Sequence, residues 1–139
     1  MTYAQDDDRA AAILRRRASG QLALDDALTE LADADCVAAI ATLIAARIDL
    51  RPELVSQALD APSDETISVM CRAAGFRINS YSALLRMRRR QNRGTESAPA
   101  HALTFFSDLS PASAERLLRR MNSEPGRSPY VTQNRTVAR

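Results

Sequence analysis

Apolar residues recur at spacings of three and four between Ala10 and Met121, and alternation with a period of two is rare. This spacing places apolar side chains on one face of an α-helix, whereas a half-buried strand requires alternation. The most regular segment runs from Val37 to Ile48. The chain is therefore predicted to be all-α, and this segment is predicted to form its central buried helix.

Glycine and proline residues mark where the predicted helices begin and end. Gly20 follows the first helix, and Pro52 and Pro111 lie in first turns, where the missing N–H of proline is not needed. Gly75 is predicted to close a helix in the left-handed conformation. Phe76 is then expected to fold back onto the last turn of that helix.

Polar residues with capping side chains precede several of these segments. Residues 6–8, all aspartates, lie where the first helix is expected to start, because its positive dipole end attracts carboxylates. Asp35 is predicted to cap the helix that begins at Val37, and Ser63 or Asp64 the helix that ends at Gly75. The successive helices are predicted to be short, about ten residues long.

The pattern divides the chain into three parts. Residues 1–93 are predicted to form one helical domain, and residues 94–122 an additional helix pair that packs on it or follows it. Residues 123–139 are rich in Pro, Gly, Ser, Thr, Asn and Arg, which predicts a disordered tail. Short helices with one apolar face each favour either stacked helical hairpins or a small irregular helix bundle.

Several segments match a known family. They are LDDALTE from Leu24, AAIATLIA from Ala38 and CRAAGF from Cys71, followed by LTFFSDLS from Leu103 and AERLLR from Ala114. This pattern resembles the carboxy-terminal part of the bacterial domain-of-unknown-function family 2336. The resemblance implies HEAT-like helical repeats, and it implies no activity, cofactor or catalytic residue.

Charge and cysteine content limit the classes of function. The chain has 19 arginines and no lysine against 17 acidic residues, a net charge of +2 that does not by itself imply a polyanionic partner. Cys36 and Cys71 lie among apolar neighbours, which is typical of reduced core thiols. An acidic start and the lack of an apolar run of about 20 residues predict a cytoplasmic protein outside the membrane.

No residue pattern specifies a reaction. His101 is the only histidine and has no partner at a catalytic or metal-binding spacing, so it is predicted to be structural or superficial. Cys36 and Cys71 are too far apart for a metal-binding motif, and the glycines are too isolated for a phosphate loop. No catalytic residue, metal or cofactor is therefore predicted, and the chain is expected to be a non-enzyme.

One charged cluster is the candidate partner-binding site. Its members, which fall on one side of a predicted helix, are Arg86, Arg89, Arg90 and Arg93. Such arginines can pair with phosphates or with carboxylates of a partner. The carboxy-terminal end of a helix also favours cations, and no aromatic residues are interleaved for base stacking. A solvated helix end, a protein-binding surface and a nucleic-acid surface are the three interpretations.

The predicted function is a non-enzymatic helical adaptor or regulatory module that binds another protein, because packed helices form extended contact surfaces. The alternative is a nucleic-acid-binding regulator. In that alternative the arginine-rich helix from Ser80 to Gln91 would follow the Gly75 turn as the second helix of a helix-turn-helix pair. Homo-oligomerisation and the identity of the partner stay open.

Overall fold

Eight helices follow one another in the residues that the structure describes. The computed structural model describes the backbone of residues 3–93 and 98–123 and the side chains of residues 8–93 and 98–121. The helices are α1 (Tyr3–Ala18), α2 (Leu24–Asp33), α3 (Val37–Ile48), α4 (Pro52–Asp60), α5 (Glu65–Ala74), α6 (Ile78–Arg90), α7 (Pro99–Asp108) and α8 (Pro111–Ser123). No strand occurs among these residues, and the all-α prediction is confirmed.

The helices form an irregular bundle. Helix α2 packs more extensively on α6 than on its sequence neighbours α1 and α3, and α5 contacts α3, α4, α7 and α8. In a linear stack of hairpins each helix contacts only its nearest repeats. The bundle alternative therefore describes this chain, and the HEAT-like stacking that the resemblance implies is not confirmed.

Helices α7 and α8 pack on the preceding helices. Helix α7 contacts α5 and α6, and α8 contacts α5. The division at residue 93 stays a prediction, and the predicted tail lies outside the described residues from residue 124 onward. No helix in the described part of the chain is long and apolar enough to span a membrane.

Helix α6 buries more side chains than α3. Its buried residues are Ser80, Tyr81, Ala83, Leu84, Leu85, Met87 and Arg88. Those of α3 are Ile40, Ala41, Leu43, Ile44 and Ala45. Helix α3 nevertheless contacts α1, α2, α4 and α5, so the structure does not contradict its predicted central position. The burial of α6 was missed, because a hydropathy pattern counts buried polar residues such as Ser80 and Arg88 as exposed.

Gly75 closes α5 as predicted. Its φ of 94° lies in the left-handed region. The Gly75 N–H donates to the Arg72 carbonyl at 3.2 Å, and the Phe76 N–H donates to the Cys71 carbonyl at 3.1 Å. Phe76 is buried. These two bonds form the Schellman motif, which satisfies carbonyls that the helix leaves unpaired.

Gly75→Val is expected to lower the free energy of unfolding by about 2–3 kcal/mol, because a β-branched residue is strained at positive φ. A Cβ here would lie 3.7 Å from Nη2 of Arg47, an ordinary contact, so the cost arises from the backbone and not from a clash. Gly75→Asn is the matched control, since asparagine tolerates this conformation. Chemical denaturation measures both, and equal losses would contradict the assignment of the cap.

Asp35 ends α2 and does not cap α3. Its φ is 58°, its N–H donates to the Ala32 carbonyl at 3.0 Å, and the Cys36 N–H donates to the Leu31 carbonyl at 2.9 Å. Cys36 occupies the N-cap position of α3. The predicted cap of α3 is wrong because the α2–α3 connection is very short. Asp35 must therefore close α2, in a left-handed conformation that aspartate tolerates.

Other predicted helix starts lie close to the observed ones. Asp64 is at the N-cap position of α5, although its side chain caps no backbone N–H there. Ser110 accepts a hydrogen bond from the Ser113 N–H at 3.1 Å and caps α8 as predicted. Helix α1 begins at Tyr3, so the aspartates at residues 6–8 lie within its first turns.

Candidate functional site

A buried arginine holds the arginine-rich end of α6 against α4 and α5. The Arg88 side chain is fully buried, and its ion-pair partner Asp64 is 4% exposed. Nε of Arg88 donates to Oδ1 of Asp64 at 3.1 Å. Nη1 donates to the Ala58 carbonyl at 3.3 Å and to the Leu59 carbonyl. Nη2 donates to the Ala61 and Ser63 carbonyls at 3.0 and 3.1 Å.

All five N–H groups of this guanidinium therefore have an acceptor. Four of the acceptors are carbonyls in the last turn of α4 and the α4–α5 connection, where a helix end leaves carbonyls unpaired. Arg88 belongs to the charged run of the sequence, but its burial gives it a structural position. The five donors of one planar guanidinium group thus satisfy the acceptors at this buried helix end. The three donors of a lysine ammonium group could not satisfy them all.

The predicted site residues Arg89, Arg90 and Arg93 also form internal ion pairs. Nη2 of Arg89 lies 3.0 Å from Oδ2 of Asp64, and Arg89 retains 21% exposure of its side chain. Nη2 of Arg90 lies 3.0 Å from Oδ1 of Asp35 and donates to the Ala32 carbonyl at 2.8 Å. The acidic partners of Arg89 and Arg90 lie at the start of α5 and just after α2, and no sequence spacing relates these positions to α6.

Arg93 separates from the other predicted site residues. It follows α6, beyond Asn92 with a φ of 57°, and its Nε lies 3.2 Å from Oδ1 of Asp60. The prediction of one continuous helical face is therefore wrong for Arg93, because the helix ends at Arg90. Arg86 is exposed on α6 and forms no hydrogen bond or ion pair with a described residue.

Arg86, Arg89 and Arg90 meet at a groove between α6 and α7. We call this cavity of about 550 Å³ the α6–α7 groove. Its lining residues are Ser82, Leu85, Arg86, Arg89, Arg90, Pro99 and Leu103. The leucines and the proline give the groove an apolar floor, and the arginines stand along its α6 side. Cavities of this size with few polar groups are typical of binding sites in proteins.

A smaller, more polar cavity lies on the other side of α7. It measures about 180 Å³ and is lined by Ser63, Asp64, Glu65, Ser68, His101, Ala102 and Phe105. His101 is exposed at its edge, as the prediction of a surface residue requires. Ser68 Oγ hydrogen-bonds to Tyr81 OH and donates to the Asp64 carbonyl at 2.7 Å.

These polar groups are engaged within the fold. Burial raises the pKa of the Tyr81 hydroxyl well above its usual range, and the hydrogen bond with Ser68 opposes this rise less strongly. A neutral Tyr81 beneath α7 keeps the pair uncharged. Within residues 8–93 and 98–121, no three His, Cys, Asp or Glu side chains are grouped to hold a metal ion.

Cys36 and Cys71 are both buried, as predicted, and they form no disulfide. Burial raises the pKa of the Cys71 thiol far above its usual range, and the positive charge of Arg88 lowers it by a smaller amount. A thiol with a raised pKa is a poor nucleophile at neutral pH, since the thiolate is the reactive form. Cys71 therefore acts as a small apolar residue of the core.

Two further arginines, Arg47 and Arg72, cap the ends of helices that are distant in sequence. Arg47 Nε donates to the Ala74 carbonyl at 3.2 Å, and Arg72 Nε donates to the Leu109 carbonyl at 2.7 Å. A carboxylate of α2 caps the opposite kind of helix end, the amino terminus of α6. Asp25 Oδ1 accepts from the Arg77 N–H at 2.7 Å and caps the amino-terminal end of α6. Sequence spacing carries no signal for any of these contacts.

The comparison with protein families shows the family of the chain. The model of the family described as "Uncharacterised protein conserved in bacteria (DUF2336)" matches residues 1–120. The chain belongs to this family, and the resemblance seen in the sequence is confirmed. No curated protein and no solved structure matches the chain.

Proposed function

We propose that this member of the DUF2336 family is an adaptor or regulatory module that binds another protein through its α6–α7 groove. The observation that carries the proposal is the groove itself, an apolar depression of about 550 Å³ between two helices. Leu85 and Leu103 form its floor and the exposed arginine Arg86 stands at its edge. An apolar centre with a charged rim is the usual composition of a protein-binding surface.

The internal ion pairs favour a protein partner over nucleic acid. Arg89, Arg90 and Arg93 each lie within 3.0 to 3.2 Å of a carboxylate oxygen of this chain. A phosphate backbone would have to compete with these carboxylates for the same guanidinium groups. The arginine-rich end of α6 therefore presents less free positive charge than its sequence indicates.

The helix-turn-helix alternative requires an exposed second helix, but α6 is held between α2 and α7. A recognition helix reaches base edges with side chains near its amino-terminal end. In α6 this end contains the buried residues Ser80 and Tyr81, and Asp25 occupies it from α2. The proposal thus ranks nucleic-acid binding second. Two buried cysteines without a disulfide favour a reducing compartment, so the proposed location is the cytoplasm.

Duplex DNA is expected to bind no more tightly than the nonspecific range of about 10⁻⁴ to 10⁻⁶ M at physiological salt. Any such binding should weaken steeply as salt rises, and an Arg86/Arg89/Arg90 triple alanine variant should show a flatter salt dependence. Titration of labelled duplex against the purified protein measures both quantities. A salt-resistant, sequence-dependent complex in the nanomolar range would overturn the protein-binding proposal.

A matched pair of leucine substitutions tests the groove. Leu103→Asp introduces a charge into the groove floor, whereas Leu117→Asp introduces the same charge at an exposed leucine of α8. In quantitative affinity purification from the source cells, Leu103→Asp is expected to lose a partner that wild type and Leu117→Asp retain. Ser82→Tyr, which fills the groove without adding charge, should lose the same partner.

Melting curves of all three variants establish that they are folded. If a partner retained by wild type is lost equally with Leu103→Asp and Leu117→Asp, binding does not use the groove. If Leu103→Asp and Ser82→Tyr both retain every wild-type partner, the proposed function is wrong for this site. Ser82→Tyr fills the groove without adding a charge, so it separates loss of the binding surface from loss of the fold.

A further inference from the structure

A separate groove lies between α1 and α2. We call this cavity of about 340 Å³ the α1–α2 groove. Its lining residues are Arg9, Ala12, Ile13, Arg16, Glu30, Asp33 and Ala34. The two helices run in opposite directions, because Nη1 of Arg17 donates to the Leu22 carbonyl just before α2, whereas Arg9 lies near the other end of α2. One side of the groove is therefore formed by α1 and the other by α2.

The charges of this groove are sorted by helix. Both charged lining residues of α1 are arginines, Arg9 and Arg16, and both charged lining residues of α2 are acidic, Glu30 and Asp33. Arg16 and Glu30 form an ion pair at 3.1 Å, in which the two side chains stay 47% and 40% exposed. The groove therefore has a basic edge on α1 and an acidic edge on α2.

The other two charges do not meet within the chain. Arg9 and Asp33 are exposed and line the same groove. Neither forms a side-chain hydrogen bond or an ion pair with a described residue. A surface that covers the groove can therefore pair with both, if it brings a carboxylate to Arg9 and a cation to Asp33.

We infer that the α1–α2 groove is a self-association surface at which two copies of this chain form a symmetric dimer. A two-fold axis parallel to the groove places α1 of each copy over α2 of the other. Arg9 of each copy then faces Asp33 of the other, and Arg16 faces Glu30, so opposite charges meet along both edges. A two-fold axis across the groove would place α1 over α1 and α2 over α2, where like charges repel.

The floor of the groove suits the approach of a second copy. It consists of Ala12, Ile13 and Ala34, and Ile13 is only 5% exposed. Short side chains at a helix contact reduce the distance between the helix axes. A small zwitterion carries the same two charges, but at a surface groove each of its ion pairs would contribute at most about 1 kcal/mol. A second copy forms several pairs at once and also covers the floor.

The dimer is expected to be weak and sensitive to salt. Helix α2 has 10 residues, so the shared face is about 15 Å long and two helices wide. Such a face is smaller than the roughly 800 Å² per partner of a standard interface, which is typical of transient contacts. Sedimentation velocity of the full chain should show a monomer–dimer equilibrium with a dissociation constant of about 10⁻⁵ to 10⁻³ M, which rises with salt.

Two charge reversals test the pairing. Arg9→Glu places like charges opposite Asp33, and Asp33→Arg places like charges opposite Arg9, so each variant alone should have a dissociation constant at least about tenfold higher than wild type. In an equimolar mixture of the two variants, both contacts of the mixed dimer again join opposite charges. The mixture should therefore recover a dissociation constant within about threefold of wild type.

Two substitutions on α8 are the matched controls. Arg120→Glu and Glu115→Arg make the same changes in net charge at exposed positions, and they should leave the dissociation constant unchanged. Melting curves establish that all variants are folded. Asp33 is the last residue of α2, where the helix dipole favours a cation, so Asp33→Arg is not expected to destabilise this helix. Recovery in the mixture also excludes misfolding, because two misfolded variants would not restore each other.

Four results would overturn the inference. They are a chain that stays monomeric at about 1 mM in low salt, single variants that dimerise like wild type, a mixture that does not recover, and α8 variants that weaken the dimer as much as the groove variants. The last result would reflect the overall charge of the protein. None of the four decides the proposed function, which depends on the α6–α7 groove and on the comparison of Leu103→Asp with Leu117→Asp.

Discussion

Replacing Arg88 by methionine is expected to lower the free energy of unfolding by about 3–5 kcal/mol, because removal of one member of a buried ion pair leaves the other groups unsatisfied. The substitution removes the donors for Asp64 Oδ1 and for four backbone carbonyls. Methionine keeps much of the side-chain volume, so the loss reports the polar contacts and not a cavity. A small domain with a total stability of about 5–15 kcal/mol has little left after such a loss.

Two further arginine variants are compared with Arg88→Met. Arg93→Met removes an exposed ion pair with Asp60, for which about 0–1 kcal/mol is the ordinary contribution. Arg88→Lys keeps the charge but has too few donors for the acceptors, so it should also destabilise clearly more than Arg93→Met. Urea denaturation measures all three. If Arg88→Met costs no more than Arg93→Met, the guanidinium does not hold the α4–α5 connection.

Replacing Phe106 by alanine is expected to lower the free energy of unfolding by about 3–5 kcal/mol, the usual cost of removing a fully buried aromatic ring. The ring is 1% exposed and stacks on Tyr81 with centroids 4.3 Å apart. The guanidinium carbon of Arg72 lies 5.2 Å from the Phe106 centroid on α7. This ring therefore links α7 to α5 and α6 at once.

Phe105→Ala is the matched control, because its neighbouring ring is only half-buried and should cost about 1 kcal/mol. Thermal unfolding of Phe106→Ala, followed by helix content, is expected to show one transition at a lower temperature. If α7 and α8 instead melted first while the remaining helices kept the wild-type melting temperature, residues 98–123 would form a separate unit. That outcome would contradict the role of Phe106 as a core residue of one cooperative bundle.

The helix ends could be predicted because their signals are local. Gly75 closes α5 and Ser110 caps α8 through bonds to residues at most four positions away. Pro52 likewise marks the first turn of α4. Such contacts depend on the backbone conformation of one turn, which the residue type restricts directly. Asp35 shows the limit of this reasoning, since one residue suited two neighbouring helix ends.

The packing of α6 could not be predicted because its polar contacts are distant in sequence. Arg88 has the same residue type as Arg86 and lies two positions away, yet it is buried under the end of α4 whereas Arg86 is exposed. Asp25 caps α6 from α2, 52 residues before Arg77. Hydropathy ranks every arginine as exposed, so only the tertiary arrangement distinguishes the two positions.

The candidate site could be predicted only in part, because some of its lining residues are also distant in sequence. The arginine run lies at the end of α6 that borders the α6–α7 groove, and three of its four predicted members, Arg86, Arg89 and Arg90, line this groove. The apolar floor was missed because Leu103 comes from α7, and its apolar spacing indicates only a core-facing position. Neither the groove nor the sharing of Asp64 by two arginines leaves a signal in the spacing of residues.

Photocrosslinking from inside the groove tests most directly whether the α6–α7 groove binds a protein. A photoreactive phenylalanine analogue at Ser82, which lines the groove, is compared in the source cells with the same analogue at Glu115, an exposed position of α8. We predict a discrete adduct at Ser82 that mass spectrometry identifies as the same protein in independent cultures, and that Leu103→Asp removes. Identical adducts at both positions, or no adduct at Ser82 from a folded protein, would contradict the proposal.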